Sequence, residues 1–523
     1  MEPVDLAGAL SDGPHPTDVP DAEAVRAAAA ALTAVTVTGL TVPINPISAG
    51  EVDATLLPLA AWLGRQCAGG GRRLLVGVTG AGGAGKSVAC EVLAACLRAL
   101  PGTGGVAVLG VDAFHRPNDY LLAHEVELPT GERATLKTIK GTPPTMDCAA
   151  LLRTLRSLRD DTDGRQQLPY YDRKAHDPRP NGATVGPETA VVLVEGIHLL
   201  HAEGAWAELR SVLHCCIHLD TPSLECRRRL IERKAAPGAG RTVAEATAHY
   251  ELVDRRNLRA HQLARSSADL VLELQPGSFI VKSAAAGLGD WPRLSLPPPT
   301  PAVFVVPGSA EAQERARRIA DAACTWQRGA ASVASAEGDS CAQQAVADGR
   351  CAALALCGTL NGSSWAAVGD GALPPDTLLF VNAIGEEVCA LTSDHRRVFG
   401  RADVLFTDGE GLAALLCGEG GDSQIDGEAS DAALLLLLRR LAGDACPVLG
   451  FAASAGCGVL AHGRSWIVRA ESSGDAPDYH ALHEAIGGAW LCALLQGAEP
   501  ALALRRALEA ALGGDTAVCE EVK

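Results

Sequence analysis

The chain has 523 residues, 47% of them hydrophobic; at about 100–200 residues per domain this allows roughly two to four domains with buried cores and excludes a wholly disordered protein. Its formal net charge of −17 supplies no global positive field, so duplex nucleic acid and acidic membranes are excluded as whole-surface partners. Small side chains rather than aromatics (4%) carry the apolar count, and no apolar run reaches the ~18–20 residues that a bilayer requires.

Residues 1–31 are acidic and proline-containing, without the pattern of a secretory signal or a transit segment, and are expected to be a disordered lead-in to a cytoplasmic protein. A helix is expected over 52–66. From residue 73, strand-length apolar runs (74–80, 106–112, 191–196, 214–220 and 268–274) alternate with helical patterns over 87–100, 227–234 and 243–263. This alternation predicts an α/β fold, a parallel sheet with helices on both faces. Pro298 and Pro299 within 283–301 mark a semi-rigid linker that closes a domain over 32–282. Beyond it, strand patterns at 303–306, 378–382, 402–408, 447–451 and 458–463, with helical patterns at 431–441 and 500–512, predict a second α/β domain over 302–523. The 17 cysteines form no CxxC pair and no zinc-spaced cluster, so buried reduced thiols are expected, Cys215 and Cys216 among them as strand residues.

Gly80, Ala81, Gly82, Gly83, Ala84, Gly85, Lys86 and Ser87 fit the pattern G-x-x-x-x-G-K-[ST], between an apolar strand and a helix, which is the context the pattern needs. The glycines let backbone N–H groups curl around a phosphate, and the helix N-terminus adds its positive end. Lys86 would neutralise the β- and γ-phosphates of ATP, and the Ser87 hydroxyl would take a coordination site on Mg²⁺. Glu195 follows four apolar residues, which puts it at a strand's carboxyl edge as the second Mg²⁺-organising group. Asp112 ends another strand, where a general base could meet an acceptor hydroxyl near the γ-phosphate.

From the phosphate loop, the Asp112 segment and five further stretches in order (140–147, 168–180, 193–200, 219–234 and 240–257), the region of about 73–274 resembles the uridine kinase, phosphoribulokinase and bacterial-type pantothenate kinase group of P-loop kinases. The resemblance implies ATP-dependent phosphorylation of a small-molecule hydroxyl. It implies Asp112 as base with Phe114 and His115 beside the acceptor, and Tyr171, Asp172 and His176 as the family's Y-D-x-x-x-H substrate segment. Arg229 and Arg233 match the lid arginines that close over the phosphates, while Asn257 is a further candidate near the end of the lid. Ala113–Asn118 departs from the Ser-Phe-Tyr expected of uridine kinases, and the polar stretch 124–140 is expected to shape the acceptor pocket in its own way. Uridine, pantothenate, a sugar, a sugar phosphate and glycerate therefore stay open as acceptors.

Residues 402–418, 447–463 and 484–490 resemble, over about 375–512, the ribokinase-type carbohydrate kinases. That family's catalytic Asp falls on Gly488, so the base is missing and efficient phosphorylation there is not expected. A degenerate ribokinase-like module and an α/β domain of another role both stay open, with Glu386, Glu387 and Glu410 read as surface carboxylates. The sequence as a whole predicts a P-loop metabolite kinase using ATP and Mg²⁺ on a small-molecule acceptor, with neither nucleic acid nor membrane as partner and a homo-oligomer left open. The alternative is a non-catalytic ATP-binding sensor.

Overall fold

A computed structural model of the chain describes residues 21–37, 40–44, 46–68, 73–128, 133–236, 240–275, 278–284, 301–309, 312–327, 330–334, 340–358, 373–374, 376–384, 403–408, 448–453, 456–461, 464–471, 477–479 and 481–522. Two compact units emerge, one from residues 1–126 with 134–299, the other from 127–133 with 300–523.

The first unit is built on strands β1 (Leu74–Gly80), β2 (Gly105–Gly110), β3 (Thr189–Glu195), β4 (Cys215–Asp220), β5 (Leu270–Gln275) and β6 (Ser278–Ala284), in the order β6-β5-β4-β1-β3-β2. All neighbours are parallel except β5 and β6. Every residue of β1 and β4 is buried, as continuous apolar runs must be when helices cover both faces. On one face lies the phosphate-loop helix Lys86–Ala99, burying Cys90, Leu93, Ala94 and Leu97. On the other, the helix Cys148–Asp160 turns Leu151, Leu152, Leu155 and Leu158 inward, and the side chain of Asp147 caps it by accepting from Ala150 N at 2.9 Å. Register pairs Glu195 with Val78 of β1 and with Gly110 of β2, so the phosphate loop, the turn after β2 and the end of β3 share one sheet edge. Ligands of open α/β sheets bind at such an edge.

Two expectations change. Within the expected lead-in, Ala22–Ala30 is helical and buries Val25 and Ala29 in the sheet's core, because its small apolar residues recur at helical spacing; residues 1–20 lie outside the described set. Residues 283 and 284, assigned to the linker, close β6, an antiparallel edge strand that the alternating pattern did not signal; residues 285–300 lie outside the described set.

The second unit carries a nine-stranded sheet among the described residues, ordered Ala331–Val333, Val303–Pro307, Ala353–Cys357, Leu378–Ala383, Val404–Asp408, Val448–Ala453, Gly456–Ala461, Arg464–Ala470 and Ala517–Val522. The first six are parallel and the last three antiparallel. Gly488 lies inside the helix His483–Leu495, where an added Cβ would sit 2.3 Å from the main-chain oxygen of Ile319. The expected helix at 431–441 and residues Glu386, Glu387 and Glu410 lie outside the described set. The described cysteines are free, and no helix among the described residues is long and apolar enough to cross a membrane.

Candidate active site

The loop from Gly80 to Ser87 links β1 to its helix through backbone that only glycine adopts readily: φ is +80° at Gly83 and +95° at Gly85. At Gly83 a Cβ would also meet the Cys226 carbonyl at 2.7 Å, so the loop presses against the helix Ser223–Ala235. Lys86 folds back over the loop and donates to Ala81 O at 2.9 Å, while Thr221 Oγ1, just after β4, donates to Ala84 O at 3.0 Å. From this helix, Arg229 donates to Gly83 O at 3.1 Å and to Glu225 Oε1 at 2.6 Å. Ser87 Oγ donates to Glu195 Oε1 at 2.8 Å across the sheet edge. Burial disfavours both charges in this group, pushing the Lys86 ammonium down and the Glu195 carboxyl up, and each opposes the shift of the other. A buried lysine, a glycine cradle and a hydroxyl–carboxylate pair fit a phosphate chain with a hard divalent cation, whose preference is for oxygen ligands.

Asp112 stands in the 3₁₀ turn Val111–Phe114 that follows β2, its side chain 46% accessible. Partial desolvation raises its pKa, but His115, Arg173, Lys86 and Arg233 outweigh this and hold the carboxyl below its ordinary range. Arg173 lies 4.0 Å away. His115 Nδ1 donates to the Asp112 carbonyl at 2.8 Å, and its buried ring is held below its ordinary pKa by desolvation, leaving it neutral near pH 7.

The other expected site residues divide. Tyr171 lies against His115, with ring centroids 5.3 Å apart. Phe114 is buried and packs in the core cluster that holds Met146 and Leu151. Asp172 closes the hairpin Gln166–Asp172/Asp177–Val185, its Oδ1 accepting from the N–H groups of Lys174 and Ala175. His176 occupies that turn at φ +49°, exposed, with its carbonyl receiving Lys140 Nζ at 2.7 Å. Asn257 is buried and holds the Gly141 carbonyl at 2.9 Å, as His198 Nε2 does at 3.0 Å. Arg228, on the same helix, pairs with Glu225 and Glu232.

Sequence reasoning passed over Arg173, Lys137, Lys140 and Asn118. Lys137 and Lys140 both donate to Asn118 Oδ1, the latter at 3.0 Å. All four lie in or beside the stretches that carried the resemblance, but at none of the motif positions.

This fold and site define a P-loop kinase. No protein-family profile matches the sequence. Over 203 residues it is 32% identical to the uncharacterized protein YggC of Escherichia coli K12, covering 39% of this chain and 78% of that one. Over 178 residues it is 30% identical to the uridine kinase of Klebsiella pneumoniae strain 342, covering 34% and 76%. Among solved structures, a proposed fructose transport system kinase from Silicibacter sp. TM1040 is 31% identical over 40% of this chain and 98% of its own, with a TM-score of 0.35. The chain belongs to the uridine kinase group of P-loop kinases, and it is a small-metabolite kinase in the general sense.

Proposed function

We propose that the chain transfers the γ-phosphoryl group of ATP to a hydroxyl of a small metabolite, with Asp112 as general base. The observation that carries this reading is the shared edge: Glu195 pairs in register with Val78 and Gly110, so the loop lysine, the hydroxyl–carboxylate pair and the Asp112 carboxylate, with the cationic Arg173, Lys86 and Arg233 acting on it, lie at one end of the sheet. In the step proposed, the acceptor oxygen forms the new P–O bond, its proton passes to Asp112, and the bond from the γ-phosphorus to the bridging oxygen breaks with its electron pair leaving on ADP. Ser87 and Glu195 would hold Mg²⁺, which supplies charge neutralisation on the phosphates. Lys86 positions the phosphate chain, and Arg229 and Arg233 bring the lid's positive charge to it.

A base has no role in a protein that only senses ATP, and a carboxylate kept ionised beside the phosphate loop favours chemistry. The test is ADP release from Mg-ATP with a panel of uridine, pantothenate, glycerate, ribulose 5-phosphate and simple sugars, run beside Lys86→Met and Asp112→Asn. A stimulating acceptor whose effect both variants lose by two orders of magnitude or more is expected. ATP binding without acceptor-dependent ADP release would favour the sensor. Nothing in this proposal assigns chemistry to the second unit, where the packing at Gly488 leaves no space for an aspartate.

A further inference from the structure

Beside Asp112 lies a group of cations that the phosphate chemistry does not use. Lys137 and Lys140, from the 3₁₀ turn Leu136–Ile139 and the residue after it, bring two ammonium groups to one neutral oxygen, Asn118 Oδ1. Lys140 also donates to His176 O at 2.7 Å and lies 5.2 Å from the centre of the Tyr171 ring. Among the described residues neither lysine has a carboxylate within 4 Å. The nearest acidic side chain acting on them, Asp177, accepts instead from Asn118 N at 2.9 Å. Arg173 and Arg241 add their fields at His176, where Lys137, Lys140, Arg241 and Arg173 all act on the ring.

Two like charges drawn to one amide oxygen repel each other, and an anion between them removes the repulsion. The arrangement is fixed from behind: His198 and Asn257, both buried, hold the carbonyl of Gly141, the residue after Lys140. It also reaches the base. Lys140 lies 5.2 Å from the Tyr171 ring, that ring lies 5.3 Å from the His115 ring, and His115 Nδ1 is 3.9 Å from Asp112 Oδ1.

Resting on the kinase reading above, we infer that the acceptor is an anion: a hydroxyl compound whose carboxylate or phosphate sits between Lys137 and Lys140 while its reacting hydroxyl faces Asp112. A neutral nucleoside or free sugar would leave the two ammonium groups uncompensated.

The experiment is calorimetric titration of the full chain in Mg-ADP with matched pairs: glycerate against glycerol, pantothenate against pantothenol, ribulose 5-phosphate against ribulose, and inorganic phosphate as a bare anion. The first two pairs report a carboxylate acceptor and the third a phosphate ester. At least one anion should bind 10-fold or more tighter than its neutral partner. That preference should fall by 10-fold or more in Lys137→Met and Lys140→Met and be retained in Lys140→Arg, with Mg-ADP affinity unchanged as the check on folding. Equal binding of neutral partners, anion binding indifferent to Lys140→Met, or no anion binding by a protein that binds Mg-ADP would each overturn the inference. Failure of the kinase reading shows separately, as anion binding without ADP release from Mg-ATP.

Discussion

Ser87 Oγ and Glu195 Oε1 are 2.8 Å apart, although 108 residues separate them in the chain. Glu195 arrives there because β3 pairs directly with β1, and the hydrogen bond aims two oxygen donors at the mouth of the phosphate loop. Glu195→Gln and Ser87→Ala should each raise the Mg²⁺ concentration for half-maximal ADP release by about 10–100-fold, the range seen when a metal site loses a supporting oxygen. A Mg²⁺ titration at saturating ATP reads this, and an unchanged midpoint in both variants would remove the pair from metal binding.

Asp112 is held below its ordinary pKa by His115, Arg173, Lys86 and Arg233 against its desolvation. Asp112→Asn keeps the shape and loses the proton acceptor, so kcat should drop by about 10²–10⁴-fold while ATP affinity stays within a few-fold. Arg173→Met should raise the Asp112 pKa and move the acidic limb of the kcat/KM profile to higher pH.

Lys140 titrates near pH 8, lowered by desolvation and by Lys137, against the pull of Asp177 and Asp112. Its charge is present below that pH and lost above it, so kcat/KM for an anionic acceptor should decline above about pH 8. The decline in kcat should come later, because a bound anion favours the charged lysine. Lys140→Arg, which stays charged, should flatten the fall; an identical profile in that variant would assign the limb to another group.

His198, His218 and His261 are buried in a row behind the loop, with His198–His261 centroids 6.1 Å and His218–His261 6.3 Å apart. Desolvation lowers all three, His198 to about 3 and His218 to about 4. Their folded pKa values lie below the unfolded 6.5, so the stability they contribute is present above pH 6.5 and is lost as pH falls toward 4 and 3. Below about pH 6, unfolding free energy should fall by about 1.4 kcal/mol per pH unit for each histidine still neutral in the fold. Urea unfolding between pH 7.5 and 4.5 measures the slope, and His261→Leu, which removes one titrating ring, should make it shallower by about one proton.

Gly488 packs its Cα under the Ile319 carbonyl, which cannot rotate away as a side chain could. Gly488→Asp should destabilise the second unit by about 1–3 kcal/mol through overpacking, visible as a lower-temperature transition by calorimetry, and should add no ADP release in a Lys86→Met background. New turnover in that background would reinstate a catalytic role for this unit.

How much was legible follows from how local each signal is. The phosphate loop could be read because glycine spacing, a preceding apolar run and a helix start lie within 14 consecutive residues, 74–87. Glu195 and Asp112 could be placed because a carboxylate ending an apolar run marks a strand's edge. The 3₁₀ turn Val111–Phe114 is too short for a sequence pattern to say which of its side chains face the core. Asp172 matched a motif position, yet the structure uses it to close a turn, while the charge that acts on the base belongs to its neighbour Arg173.

By itself the sequence determined the α/β class, the nucleotide loop and the family, since these rest on short-range periodicity and on residues adjacent in the chain. Only the tertiary structure decided that Asn118, Lys137, Lys140, Tyr171 and His176 meet beside Asp112, and that a helix at 319 forbids a side chain at 488. Both depend on which segments the sheet and its hairpin bring together, and proximity between distant segments is set by packing and strand register, which no local pattern encodes.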